Sequence, residues 1–158
     1  MSIKRTLEAD LKEALKARET LRVACLRMLK SKILEREVAL RSDRGRDYEL
    51  EDDETLAVLT AYGKQRRDSI ESFRQAGRDD LADKEEAELA IVNAYLPRQL
   101  SGEEIERIVQ ETIEESGATS PRDMGKVMKL VMPRLKGAAD GKRVNEIVRS
   151  SLQPADRS

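Results

Sequence analysis

The stretch "LADKEEAELAIVNAYLPRQLSGEEI", residues 81–105, decides how this chain is read. Its first part has helical spacing and runs to Pro97, which lacks an N–H to donate and whose ring clashes with the preceding turn. A new helix is specified immediately afterwards. Ser101 is its N-cap, Glu104 three positions on completes a capping box, and Leu100 with Ile105 forms a hydrophobic staple. One helix stopped and another started so close together marks a boundary between two units near residue 97. The expected organisation is an N-terminal helical bundle over 1–96, a small C-terminal three-helix domain over 97–152, and a flexible tail over 153–158. No strand pattern occurs on either side, so the fold class is all-α.

Upstream, Ile3, Leu7, Leu11 and Leu15 place one apolar residue on each turn of a first helix. A second runs from about Thr20, read as its N-cap, to about Leu40. Leu21, Cys25, Met28 and Leu29 make one stripe, which Leu26, Ile33 and Leu40 widen. After the polar loop "RSDRGRDYELEDDE" (41–54), a long helix spans about 53–76. Its seam is Leu56, Leu59, Gly63, Arg66, Ile70 and Phe73. Gly63 costs that helix about 1 kcal/mol and suits close approach of another element. Arg66 reads as an edge residue whose stem lies along the bundle; the alternative is a paired, largely buried arginine, for which Asp68 at i+2 is on the wrong face. Gly77 ends the helix, and Asp79 or Asp80 caps the next.

Downstream, Ile105, Ile108, Val109, Thr112 and Ile113 line a helix that Gly117 closes. Pro121 opens another, with Met124, Val127, Met128 and Val131 inward, and Pro133 ends or kinks it before a turn at 134–136. Val144, Ile147, Val148 and Leu152 face inward from the last helix.

Composition narrows the chemistry. Charged residues are 39 % and aromatics 3 % of the 158 residues, which suits a helix-rich soluble protein with a modest core. The absence of histidine removes imidazole bases and the usual metal clusters. The single cysteine, Cys25, sits on an apolar face and reads as a core filler. One cysteine forms no internal disulfide, so the expected compartment is a reducing cytoplasm. The N-terminus has no apolar signal core and no stretch approaches membrane-spanning length. No phosphate-binding glycine loop or catalytic grouping is recognisable, so no catalytic residue, cofactor or metal is expected, and an independent enzyme is not.

Charge is unevenly distributed. Residues 51–95 carry 6 basic and 12 acidic side chains, whereas residues 121–158 carry 9 basic and 4 acidic. The basic segment contains "KGAADGKRVNEIV" (136–148), where Gly137 ends one helix and Asp140 caps the next. Lys142 and Arg143 then fall in a first helical turn, beside bare N–H groups and the positive end of the helix dipole, where cations are disfavoured. That placement is explained if an anion sits opposite. The candidate contacts are Lys126 and Lys129, which share a helix face, with Arg134, Lys136, Lys142 and Arg143; Gly137 and Gly141 would admit an approaching backbone. With no aromatic residue after Tyr95, unpaired bases cannot be stacked on rings there, so a nucleic acid would be held by backbone and shape.

"RDSIESFRQAGRDDLADKEEAELAIVNAYLPRQLSGEEI" and "MGKVMKLVMPRLKGAADGKRVNEIV" together resemble the YqeY (GatB/YqeY) family. The family's G-x-V-M, K-G and V-N-E pattern falls on Gly125, Val127, Met128, Lys136, Gly137, Val144, Asn145 and Glu146, with Ala138 where relatives often have a basic residue. The resemblance implies a helical bundle followed by a domain similar to the tail of the tRNA-dependent amidotransferase B subunit, which in that enzyme contacts the outer elbow of tRNA. The amidotransferase's catalytic body has no counterpart here. Three expectations follow: a non-catalytic module for tRNA; an adaptor docking on amidotransferase subunits or an aminoacyl-tRNA synthetase without RNA; and, least, an accessory of carbon–nitrogen ligation with glutamine as amido-N-donor.

Overall fold

The computed structural model describes residues 2–135 and 137–153. Every regular element among them is helical: α1 (Ile3–Lys16), α2 (Thr20–Arg44), α3 (Asp52–Gln75), α4 (Asp79–Asn93), α5 (Gly102–Ser116), a 3₁₀ turn (Pro121–Asp123), α6 (Met124–Arg134) and α7 (Gly141–Leu152). The chain divides into two compact units, Met1–Leu96 and Pro97–Ser158. The expected tail falls largely on 154–158, outside the described residues.

In the first unit α1 packs on α2 and α3 on α4, and α2 touches all three other helices. Leu7, Ala14, Leu26, Leu29, Leu59 and Val92 are completely buried at the centre. Cys25 is buried among them, and burial pushes its thiol up to about 11, so at neutral pH it is a protonated filler. Gly63 is used for closeness: a methyl group there would fall 3.3 Å from Leu96 Cδ1, just past α4, and 3.8 Å from Leu89 Cδ1 within it. Glu37 is the buried charge of this unit, at 5 % exposure. It accepts a hydrogen bond from Lys4 Nζ at 2.5 Å and another from the Leu50 N–H at 3.0 Å, fastening α1 and the α2–α3 loop to α2.

Several local expectations are corrected. The N-cap of α2 is Glu19, not Thr20, and the helix runs four residues past Leu40. Arg78 is the N-cap of α4, while Asp79 and Asp80 lie in its first turn, where carboxylates suit the dipole. Leu21 and Met28 are exposed instead of joining the core stripe. Arg66 takes the paired alternative: Glu85 and Glu88 of α4 lie at 3.4 Å and the Tyr62 ring at 4.6 Å, with the side chain 22 % exposed.

The second unit packs α5, α6 and α7 around one core to which each region contributes alike: Ile105, Val109 and Ile113; Val127, Val131 and Leu135; Val144, Val148 and Leu152. Pro133 sits within the last turn of α6, which continues to Arg134 because the missing N–H there costs a single bond. Ser101 caps α5 as the motif requires, with Ser101 Oγ accepting from Glu104 N at 3.2 Å and Glu104 Oε2 from Ser101 N at 2.8 Å. Arg98 holds the Glu104 carboxyl far below the usual range, at about 2, assisted by the Ser101 N–H. Ser101→Ala is expected to destabilise this unit by about 1 kcal/mol, read as a shift of its urea midpoint with the slope unchanged.

Candidate nucleic-acid interface

The turn from α6 into α7 is built by the backbone. Gly137 adopts φ +72, a left-handed conformation that glycine accepts without steric cost. Two residues ahead of α5 then clamp it: Gln99 Nε2 donates to the Gly137 carbonyl at 2.7 Å, and the Leu100 N–H donates to the Ala138 carbonyl at 2.8 Å. Asp140 follows as N-cap of α7, its Oδ1 accepting from the Lys142 N–H at 3.2 Å. The Asp140 carboxylate is thus a resident anion beside the first-turn cations and offsets part of their cost. Gly137→Ala is expected to cost about 1–2 kcal/mol, from the left-handed backbone alone, and to loosen this turn; denaturant midpoints of the intact chain check it.

The five candidate cations that are described do not form one cluster. Lys142 and Arg143 are exposed at the start of α7. The Arg143 guanidinium lies over the first residue of α5, where a methyl group on Gly102 would come within 2.6 Å of one of its nitrogens. Lys126 instead donates to the Ser116 carbonyl at 2.8 Å, at the other end of α5. Those two ends of α5 are roughly 21 Å apart. Arg134 also turns toward the far end, donating to Thr112 Oγ1 at 3.1 Å and forming an ion pair with Glu115. Lys129 is exposed, one turn before Met132, whose terminal methyl lies 3.6 Å from where a methyl on Gly141 would be. Lys136 lies outside the described residues. Of the structural-motif positions, Gly125 is exposed with open space around it, Gly141 is the first residue of α7, and Asn145 accepts from Arg149 at 3.3 Å.

Two groups are therefore distinguishable. Lys142 and Arg143 make no hydrogen bond or ion pair through their side chains among the described residues, and neither does Lys129. Lys126 and Arg134 are occupied, one satisfying a helix C-terminal carbonyl and the other neutralised by a carboxylate. A groove of about 570 Å³ between α5 and α7 bounds the cationic surface; Glu103, Glu106 and Glu146 line it against Arg107 alone, so it repels phosphate. Sequence alone gave no role to Gln99 or Gly102, and read Leu100 only as a staple, not as the residue whose N–H holds the turn. Gln99 left a trace, as an uncharged polar residue between Pro97 and the cap.

A family model described as Yqey-like protein matches residues 4–152. Among curated relatives, the chain is 33 % identical over 90 residues to "Altered inheritance of mitochondria protein 41, mitochondrial" of Saccharomyces cerevisiae (strain YJM789), covering 57 % of this chain and 46 % of that protein. The protein of the same name from Candida glabrata is 35 % identical over 92 residues, covering 58 % and 48 %. That from Vanderwaltozyma polyspora is 26 % identical over 125 residues, covering 75 % and 64 %. The chain thus spans about half the length of the first two relatives. No described helix is long and apolar enough to cross a membrane.

Proposed function

The chain belongs to the Yqey-like protein family, and from that premise we propose that it is a non-catalytic helical module whose second unit grips the phosphate backbone of folded RNA, tRNA foremost. One observation carries the reading. Two cations stand exposed at a helix start, without side-chain partners among the described residues, on a turn held from behind by Gln99 and Leu100. Their charge adds to the helix dipole, which makes the position costly in the free protein and favourable opposite phosphate. Lys129 and Lys136 extend the contact in this proposal, while Lys126 and Arg134 serve the unit's own packing.

Specificity for tRNA would come from shape and from the spacing of phosphates, since no aromatic side chain is present in this unit to stack a base. The same proposal places the protein in a reducing, cytoplasm-like compartment alongside tRNA-handling enzymes, whether amidotransferase subunits or an aminoacyl-tRNA synthetase; the fungal relatives carry the word mitochondrial in their names. Filter binding of total tRNA across a salt series tests it. The expected result is an affinity that falls log-linearly with salt, with a log–log slope of about −3 to −4 for four contacts. Binding that is absent at low salt, or indifferent to salt, contradicts it.

A further inference from the structure

The outer face of α2 is not the wet surface that its position implies. Val23, Arg27, Lys30, Leu34, Val38 and Arg41 recur at spacings of three and four residues, so they form one stripe along the helix. Leu34 and Val38 are 52 % and 53 % exposed, the most exposed large apolar side chains among the described residues. The core side of the same helix is separately filled by Cys25, Leu26, Leu29 and Ile33. A helix with apolar groups on both faces has an unfilled contact.

All of that stripe but Val38 lines one of two shallow grooves, and Val38 stands one turn beyond Leu34 at their edge. A groove of about 500 Å³ runs along α2 beside α1 and includes Leu7, Arg27, Lys30, Leu34 and Arg41. A second, of about 300 Å³, includes Leu15, Arg18, Val23 and Arg27, so the two meet at Arg27. The carboxylates of the larger groove are already engaged: Glu8 pairs with Lys30 at 3.7 Å, and Glu37 and Glu49 with Lys4 at 2.5 and 3.3 Å. The side chains of Arg18 and Arg27 make no ion pair or hydrogen bond among the described residues. Arg41 Nε is a buried donor without an acceptor, although the guanidinium feels the Glu37 charge. Arg18 also occupies a left-handed turn position at φ +55, which an arginine takes only at a cost.

We propose that this groove docks an acidic amphipathic helix of a partner protein. The charge left over in the groove is positive, so the partner's flanks must be carboxylates. The stripe alternates cationic with aliphatic groups, so the partner must also bring an apolar seam to cover Leu34 and Val38. Phosphate alone leaves those two uncovered, which disfavours a nucleic acid. No aromatic side chain stands in the stripe to anchor it in a bilayer. From Val23 to Arg41 the stripe is roughly 27 Å long, the length of an 18-residue helix. This docking is independent of the RNA reading and uses the other unit.

The test is fluorescence anisotropy of the full chain with a labelled peptide of about 18 residues, leucine at i, i+3 and i+4 positions and glutamate elsewhere. We expect saturable binding that weakens about tenfold or more for Leu34→Ser/Val38→Ser, for Arg27→Glu, and for a scrambled peptide of the same composition. All three substituted positions are exposed, and far-UV circular dichroism confirms that each variant is folded. Absence of binding, equal binding of the scrambled peptide, or indifference to both variants overturns the proposal. So does co-sedimentation with phosphatidylglycerol vesicles that Leu34→Ser/Val38→Ser abolishes while the peptide fails to bind, or displacement of the peptide by RNA with the serine variant unaffected.

Discussion

Replacing Lys142 and Arg143 together by alanine is expected to lower tRNA affinity at least tenfold at moderate salt and to reduce the log–log salt slope by about 2, one unit for each phosphate contact removed. Both side chains are exposed and neither pairs with a carboxylate among the described residues, so their removal leaves the core intact. Removing first-turn cations also relieves an unfavourable interaction with the α7 dipole, so thermal stability should hold or rise slightly. Affinity and stability are then expected to move in opposite directions. A change that merely unfolded the unit would lower both. Arg134→Ala is the matched control: it breaks the pair with Glu115 but, on this account, leaves the salt slope unchanged.

Glu37→Ala is expected to destabilise the first unit by about 3 kcal/mol. The buried Leu50 N–H would lose its acceptor and Lys4 its closest carboxylate, while a cavity opens under the α2–α3 loop. Acid should produce part of the same effect. Burial on its own would raise the pKa of Glu37, but the hydrogen bonds from Lys4 and the Leu50 N–H, with the Lys4 charge, hold it below the ordinary 4.5. A carboxyl depressed in the folded state stabilises above its unfolded pKa and loses that contribution as pH falls through the folded value. Denaturant titrations should therefore show the first unit weakening below about pH 4.5, with a smaller acid dependence in the Glu37→Ala variant. An acid limb identical in the two proteins would remove Glu37 as its source.

The all-helical fold was legible because its signals are local. The Ser101–Glu104 box and the Gly117 and Gly137 turns are each specified within a few residues, and the structure uses all of them as read. The misplaced caps of α2 and α4 share a form: Glu19 and Arg78 are exposed, poor capping types that make no side-chain cap hydrogen bond, whereas the good types Thr20 and Asp79 lie one residue inside the helix. Arg66 was legible as an anomaly on an apolar seam, but its partners Glu85 and Glu88 are on another helix, and spacing within α3 cannot reveal them.

The candidate interface was less legible for the same reason. Six cations within a short segment read as one patch. Which of them are free depends on α5: Glu115 and the Ser116 carbonyl draw Arg134 and Lys126 to one end, and Gly102 seats Arg143 at the other. The stripe on α2 shows the converse case. Its spacing is plain in the sequence, but an apolar position on a central helix reads as core until the exposure of Leu34 and Val38 is known.

Hydrogen exchange of the intact protein with and without saturating tRNA tests the central claim most directly. The account predicts slowed exchange concentrated at 137–144 and at the clamping segment 98–102, with the Glu103–Glu106–Glu146 groove unchanged. Protection confined to the first unit, or spread along that acidic groove instead, would contradict it.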